Sequence, residues 1–520
     1  MIRKIIAISL INWLIVTNIL AADKKEKNKG QDYEKQREIE KAIFVAAGLQ
    51  DRVLRIGLVD CIAYALKNNS EILLTRLEPK IKEDDVRIAK ADFEPTLSLT
   101  PTLHENNKLS TSSVGGGGLS KSRDLDFNAG ISGKLLTGTE YELEFTNEKY
   151  KSNSASQLLN PYYATEPKIT ITQPLFRDFG ILVNTADIII ARNNKAQSEE
   201  TFKDTVMAII TRTKVAYYNY IYYLDNYAIA KSSLERAKNL LEINRARYAK
   251  GLVSSVELLE SESAVAQREK VLISAESSLK KAEDDLKLIT NLINDPEAWN
   301  AKLELIDGKP EFKAEKINLQ ESLKNAFNYR PDYLSQKIDL KNRDIKTLTA
   351  RNALFPTVDL VGSFGLNGLG EEYQKALEDM RDEYKDWSVG LTVTIPWGGE
   401  ERAKYDQKKL EKAQALLAFK RLEQNIILEV RDKVREVDIQ MRQVEAARLL
   451  KEKESQNYKA QEERYAAGQV SLHDMLDYQE KLAQAELDYI KSLIDYNVAI
   501  FNLDKSQGLT LAKNNVKLEE

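Results

Sequence analysis

The residues that break helices are unevenly placed in this chain of 520 residues, and their placement restricts the fold more than any other feature. All eleven prolines lie outside two windows, residues 175–295 and 397–520, and glycine is scarce in both. Inside a helix, Pro costs about 3 kcal/mol and Gly about 1 kcal/mol. Both windows are therefore predicted to be helical.

Solitary glycines divide each window into a long helix, a turn and a return helix. Gly180 and Gly251 bound the first long helix, and Gly399 and Gly468 bound the second. At about 1.5 Å per residue, a helix of about 70 residues reaches about 100 Å. Helices of this length do not fit a compact globule, so the pattern predicts a coiled-coil tube or rod.

The two windows also repeat each other. Residues 247–254 match residues 464–471 at an offset of 464 − 247 = 217, and an Arg-Tyr-x-x-Gly motif occurs in both. A seven-residue ladder of apolar residues continues in register after each turn, which is typical of a packing seam between helices. Residues 55–99 also align without gaps with residues 316–360, at an offset of 316 − 55 = 261. The chain is therefore predicted to be internally duplicated.

Between the helical windows, the hydrophobic period becomes that of a strand. Apolar and polar residues alternate in 124–135 and 140–146. Such alternation predicts a sheet with one apolar and one polar face. The apolar face is buried in a soluble sandwich and faces lipid in a membrane barrel. The other strand-like segments are 96–103, 168–172, 357–363 and 387–395.

The N-terminus has the form of a signal peptide. Arg3 and Lys4 precede an apolar stretch, and Ala21-Ala22 offers a cleavage site. No later run reaches about 18 apolar residues, so no transmembrane helix is predicted after it. The full domain plan is a signal peptide (1–22), a charged lead-in (23–50), a first structural repeat (51–295, strands at 95–175, tip near 251), an inter-repeat equatorial segment (296–315), a second structural repeat (316–508, strands at 355–397, tip near 468) and a C-terminal tail (509–520).

Composition argues against several classes of function. One Cys and two His exclude thiol redox pairs and Cys/His zinc clusters. A net charge of −4 gives no indication of nucleic-acid binding. The sequence contains no P-loop, no dinucleotide-binding turn and no paired-carboxylate cleft. We therefore expect no metal, no cofactor and no enzymatic activity.

In this order, the elements resemble the TolC-type outer-membrane efflux protein family over residues 50–508. The resemblance implies a mainly α protein with a β part. Its homotrimer closes one shared transmembrane β-barrel in lipid and extends a long α-helical coiled-coil barrel into the periplasm. The motifs that carry the resemblance are Phe93-Glu94-Pro95-Thr96-Leu97, Leu354-Phe355-Pro356-Thr357-Val358, Gln173-Pro174-Leu175-Phe176, Ile395-Pro396-Trp397-Gly398-Gly399 and the two Arg-Tyr-x-x-Gly turns.

The family also implies a function and a location. Its members lie in the outer membrane of diderm cells and serve as exit ducts for tripartite efflux or type I secretion. Their partners are a periplasmic adaptor (membrane fusion) protein and an inner-membrane pump, which largely sets the cargo. The alternative is a non-transporting, periplasm-spanning coiled-coil structural protein or adhesin. A trimeric adhesin would place its strands once, at the C-terminus, whereas strands are predicted here in mid-chain in both halves.

Two sets of site residues follow from the resemblance. Acidic residues after the second turn ring the periplasmic entrance in the family, a gate role carried here by Asp474 and Asp477. Asp474 also fits a helix cap with Ser471, as Glu257 does with Ser254. Many members have a basic latch residue two positions after the second glycine, where this chain has Val470. The adaptor-docking tips comprise Arg247, Tyr248, Gly251, Leu252, Val253, Arg464, Tyr465, Gly468, Gln469 and Val470.

One segment departs from the family pattern of at least four strands per protomer. The hairpin predicted near residues 124–150 supplies two further strands. It either joins the barrel or extends outside or beneath it.

Overall fold

The computed structural model describes residues 53–110, 118–154, 157–292 and 296–518. The predicted signal peptide and charged lead-in lie outside these ranges. The described chain is mainly helical, with one large sheet, and forms two compact units. The turn unit takes its described residues from 1–69, 212–311 and 450–494, and the sheet unit from 70–211, 312–449 and 495–520. Each unit combines segments of both predicted repeats.

The helices follow the predicted order along the chain. They are α1 Leu58–Asn68, α2 Ser70–Ala91, α3 Ile181–Asn184, α4 Ala186–Ala249, α5 Ser255–Ile289, α6 Pro296–Asn300, α7 Leu319–Tyr329, α8 Pro331–Asn352, α9 Tyr373–Glu378, α10 Glu400–Ala466, α11 Leu472–Ser506 and α12 Thr510–Lys513. The strands are β1 Val53–Ile56, β2 Thr96–Ser110, β3 Gly118–Lys134, β4 Glu140–Ser152, β5 Tyr162–Pro174, β6 Lys302–Leu305, β7 Thr357–Leu366, β8 Gly368–Gly370 and β9 Lys385–Thr394.

Helices α4 and α10 are the long helices that the glycine spacing predicts. They contain 64 and 67 residues, and neither contains Pro or Gly. At 1.5 Å per residue, each is about 100 Å long. Among the described residues, no helix combines the length and the apolar character needed to span a bilayer.

The sheet unit contains an antiparallel sheet in the order β2-β3-β4-β5-β7-β9, with β8 also paired to β5. Strands β3 and β4 form the hairpin predicted near 124–150. They lie between β2 and β5, so the hairpin joins the sheet. Strand β5 pairs with β7 from Lys168 onward and with β8 up to Thr165. The interruption falls at Pro167, which has no N–H to donate.

The pairing register separates the side chains of this sheet into two faces. One row across all six main strands is entirely apolar: Leu97, Ile131, Leu143, Ile169, Phe364 and Trp387. The neighbouring row is entirely polar: Thr96, Ser132, Glu142, Thr170, Ser363 and Ser388. The apolar face is exposed on the chain, with Leu97 66% and Trp387 65% accessible. A soluble sandwich would bury such a face.

In the turn unit, the segment after α6 is fixed by side chains of α4 and α5. The Tyr217 hydroxyl donates to Asp307 Oδ2 (3.0 Å), and the Tyr220 hydroxyl donates to the Leu303 carbonyl (3.0 Å). The buried Lys287 ammonium donates to the Ala301 carbonyl (2.7 Å). Strand β6 of this segment pairs in parallel with β1. The tyrosines at 217 and 220 are therefore packing residues that also anchor the chain.

The single cysteine is buried in the same unit. Burial, together with the negative charges of Asp60 and Asp307, raises the pKa of the Cys61 thiol to about 12. Because the thiolate is the reactive form, Cys61 is a structural residue.

Candidate functional site: the two helix turns

The first turn, Arg247–Ser254, connects α4 to α5 in the turn unit. Gly251 has φ = 72°, a left-handed conformation that residues with a Cβ disfavour. Its N–H donates to the Tyr248 carbonyl (2.9 Å), and the Leu252 N–H donates to the Arg247 carbonyl (2.9 Å). These two bonds form a Schellman motif, which satisfies the last carbonyls of α4 and reverses the chain.

The second turn, Arg464–Ser471, connects α10 to α11 in the same unit and has the same backbone. Gly468 has φ = 75°. Its N–H donates to the Tyr465 carbonyl (3.0 Å), and the Gln469 N–H donates to the Arg464 carbonyl (2.9 Å). The sequence match between the two turns is therefore a match of conformation.

A serine caps the return helix after each turn, as the sequence predicts. The Glu257 N–H donates to Ser254 Oγ (3.2 Å), and the Asp474 N–H donates to Ser471 Oγ (3.1 Å). The Ser471 hydroxyl also donates to Asp474 Oδ2 (2.6 Å). Each cap satisfies a helix N–H that has no partner within its helix. Asp474 thus takes part in the cap of α11.

The tyrosine of the second turn points into the turn unit. Tyr465 is 8% exposed, and its hydroxyl donates to Asn244 Oδ1 (2.7 Å). Asn244, which is fully buried, donates through Nδ2 to Ser261 Oγ (2.8 Å). Ser261 in turn donates to the Glu257 carbonyl (3.0 Å). This buried network joins α4, α5 and α10 near the turns.

The arginine of the first turn reaches the second turn. Arg247 Nη2 donates to the carbonyls of Tyr465 (3.5 Å) and Ala466 (3.4 Å), which end α10. Its guanidinium also lies 5.0 Å from the centre of the Tyr465 ring. A cation is favoured both at a helix C-terminus and over an aromatic face. Arg464, the counterpart of Arg247, is exposed and donates to Gln461 on its own helix (3.4 Å).

Apolar side chains are also used differently at the two turns. A buried core borders the second turn and includes Leu472 and Met475, with Val470 partly buried against it. Four large side chains on the first turn and the start of α5 are exposed instead, and Val253 between them is partly buried. We call these four the first-turn apolar residues: Tyr248 (46% exposed), Leu252 (71%), Val256 (71%) and Leu259 (66%).

The two predicted gate residues are exposed on α11, three positions apart and thus on one helix face. Asp477 forms an ion pair with Lys481 (2.7 Å). The hydrogen bond to Asp477 and the negative charge of Asp477 raise the pKa of Lys481. Close by, His473 Nδ1 lies 3.3 Å from Glu260 Oε1 across the two return helices. Both gate carboxylates therefore have local partners and remain accessible to solvent.

The structure brings the predicted tip residues together in one unit, and it adds residues that the sequence analysis missed. The turn motifs do not point to Asn244 and Ser261, although each is a polar residue within an apolar heptad stripe. Such residues set register in coiled coils. Val256 and Leu259 were also missed as exposed positions, because an apolar residue at helical spacing is expected to be buried.

Comparison with known proteins identifies the family. The family model described as "Outer membrane efflux protein" matches residues 61–292 and 322–509. The chain is 24% identical over 313 residues to outer membrane protein OprJ of Pseudomonas aeruginosa, covering 60% of this chain. The match spans 63% of OprJ, a little less than two thirds of its length.

Two further similarities agree with this match. The chain is 22% identical over 368 residues to outer membrane protein TolC of Escherichia coli, covering 67% of this chain and 71% of TolC. In fold, it is similar to the CmeC outer membrane channel of Campylobacter jejuni, with a TM-score of 0.65, 18% identity and coverage of 87% and 86% of the two chains. The chain therefore belongs to the outer membrane efflux protein family and is a protein of the outer membrane.

Proposed function

We propose that three copies of this chain form a channel-tunnel that serves as the exit duct of a tripartite efflux or type I secretion system. The observation that carries this proposal is the exposed apolar face of the six-stranded sheet. Exposed apolar areas of this extent mark membrane or protein contacts. Lipid would cover the apolar face, and the polar face would line water. The duct passes its cargo without chemistry, so it needs no catalytic residue.

Closure into a trimer is supported by the two edges of the sheet. Strands β2 and β9 each have one side without a partner strand within the described chain. In a bilayer every backbone N–H and C=O requires a partner, because the hydrocarbon supplies none. Pairing between copies would satisfy both edges. The long helices α4 and α10, together with the heptad seams of the return helices α5 and α11, would form the tunnel.

This part of the proposal is tested by the state of the purified protein. We expect detergent to be needed for extraction and the product to be a trimer whose migration on a gel changes on heating. A monomer that is soluble in water without detergent would contradict the proposed duct, and it would favour the structural alternative.

We further propose that the two turns dock on the helical hairpin of the periplasmic adaptor. The first-turn apolar residues support this, because burying them against a partner removes apolar area from water. Such burial stabilises a complex by about 25 cal/mol per Å² of apolar area. A photo-crosslinking residue at Leu252 should capture the adaptor in cells. The same residue at Lys280, which is exposed on α5 away from the turns, is the control. Equal capture at both positions would remove Leu252 from the docking surface.

The entrance gate is assigned to Asp474 and Asp477. In a trimer, these residues would place six carboxylates near one axis, where they would attract and hold multivalent cations. The double variant Asp474→Ala, Asp477→Ala should raise single-channel conductance and weaken block by multivalent cations. Glu257→Ala with Glu260→Ala alters the matching residues after the first turn (474 − 217 = 257; 477 − 217 = 260) and is the control. Unchanged conductance and block would exclude both aspartates from the gate.

A further inference from the structure

The hairpin β3–β4 has a consequence for the size and charge of the pore. Resting on the proposed trimeric duct, we propose that this hairpin forms part of the barrel wall. Three copies of six main strands then give an eighteen-stranded pore. We further propose that the polar face of the hairpin lines this pore with carboxylates, so that large cationic or neutral solutes pass and anions are disfavoured.

Strand direction supports closure with the hairpin included. The six main strands are antiparallel to their neighbours throughout, so β2 and β9 run in opposite directions at the two edges. Strand β9 of one copy can therefore pair with β2 of the next in the same antiparallel manner. A closed ring of identical copies leaves no edge, as a membrane barrel requires.

The register places the hairpin at the level of the other strands. Ile131 and Leu143 continue the apolar row from Leu97 on β2 to Ile169 on β5 without a slip. Ser132 and Glu142 continue the polar row in the same way. A slip of one residue would exchange the two faces. A hairpin lying outside or beneath the barrel has no reason to keep both rows, so the rows place it in the wall.

Strand number sets the width of the pore. The diameter of a barrel rises roughly linearly with the number of strands, and barrels of about 16–18 strands leave an aqueous channel. Without the hairpin, each copy would supply four main strands and the trimer twelve. The hairpin therefore widens the pore about 1.5-fold, from the ratio of eighteen to twelve.

The hairpin also gives the pore its charge. In the described register, Lys134 is the one basic side chain on the polar face of β3 and β4. Rings of Asp and Glu side chains favour cations in pores. In a trimer, each carboxylate of the hairpin occurs three times around the wall. The acidic side chains on this face are Asp124, Asp126, Glu140, Glu142, Glu144 and Glu148.

A deletion that keeps the register tests the width. Residues 105–161 are replaced by Asn-Gly, so that a two-residue turn joins His104 to Tyr162. Thr96 and Thr170 already lie in one row, so β2 can pair with β5 with both faces preserved. Pore area scales with the square of diameter, so single-channel conductance in planar bilayers should fall to about half. The largest polyethylene glycol that enters the pore should also become smaller.

A second variant tests the charge in the full-length chain. Glu140→Gln, Glu142→Gln and Glu144→Gln should lower the potassium-to-chloride permeability ratio several-fold, while the polymer size limit stays that of the original protein. The control removes three carboxylates from α2, through Glu71→Gln, Glu78→Gln and Asp84→Asn. It should leave the ratio unchanged.

The outcomes separate this inference from the proposed function. If the original protein forms no channel, the duct itself is wrong. If the protein conducts but the deletion keeps its conductance and polymer limit, the hairpin is not in the wall. Should the deleted chain fail to assemble, the polymer size limit of the original protein is the test. A limit typical of a twelve-stranded pore overturns the inference. An unchanged permeability ratio in the glutamine variant overturns the acidic lining.

Discussion

The first turn and the second turn share a backbone but use matched tyrosines in opposite ways. Tyr248 is exposed beside the glycine of the first turn, whereas Tyr465 is buried and bonded to Asn244 at the second. The matched arginines differ as well, since Arg247 binds the end of α10 and Arg464 faces solvent. The two turns therefore share a backbone and differ in the roles of their matched side chains.

This difference has a functional meaning within the proposed duct. The second turn is held by its buried neighbours, and it precedes the two proposed gate residues. The first turn presents apolar side chains to solvent, as a docking surface requires. We therefore expect backbone changes to act alike at the two turns and side-chain changes to act differently.

The largest expected effect tests the shared backbone. Gly251→Pro and Gly468→Pro each fix φ near −65° where the chain needs a positive value, and each removes an N–H that the turn uses. Each variant should abolish complementation in a strain lacking this chain, with trimers still reaching the outer membrane. Gly251→Ala and Gly468→Ala, which cost only about 1–2 kcal/mol each, are the milder controls. Normal complementation by either proline variant would argue against equivalent turns.

The next effect concerns the packing behind the turns. Met475 is 2% exposed in the core of the second turn, whereas its counterpart Leu258 (475 − 217 = 258) is only partly buried. Met475→Ala should lower the free energy of local opening around α11 by about 2–5 kcal/mol. Leu258→Ala should have less than half that effect around α5. Hydrogen exchange of the amides in each return helix measures both values, and equal losses would contradict the comparison.

A smaller effect isolates the hydroxyl of the buried tyrosine. Tyr465→Phe leaves Asn244 Oδ1 without its donor and should destabilise the second turn by about 1–3 kcal/mol. Tyr248→Phe alters an exposed position and should stay within about 0.5 kcal/mol. Hydrogen exchange of residues 464–470 and 247–253 provides the readout. A loss at Tyr248 as large as that at Tyr465 would refute the division of roles.

The smallest expected effect concerns the arginines. Arg247→Ala removes the contact with the Tyr465 ring and the α10 carbonyls, which should be worth about 0.5–1 kcal/mol. Arg464→Ala should change the local stability of the turn very little. A double-mutant cycle with Tyr465→Ala measures the coupling directly. Coupling of Tyr465 to Arg464 rather than to Arg247 would reverse the assignment.

Much of this architecture could be predicted because it depends on local chemistry. Gly251 and Gly468 mark the turns, since a positive φ favours glycine. Helices α4 and α10 follow from the absence of helix breakers. The period of two in β3 and β4 predicts strands with two faces. In each case, the residues that decide the structure are close together in sequence.

The remaining features depend on neighbours distant in sequence. The motifs around Tyr248 and Tyr465 match, but the burial of Tyr465 depends on its bond to Asn244, which lies 221 residues away on α4 and is itself bonded to Ser261 on α5. The place of the hairpin is set by the register of β3 with β2 and of β4 with β5. Local alternation reveals the two faces of a strand, but it does not reveal the neighbouring strand.

Ion conduction tests the central claim of a duct through the outer membrane most directly. The detergent-extracted protein, with the predicted signal peptide (residues 1–22) removed, is added to one side of a planar lipid bilayer under voltage. We expect discrete, uniform current steps that favour cations over anions. Inserted protein that gives no current steps under these conditions would contradict the duct.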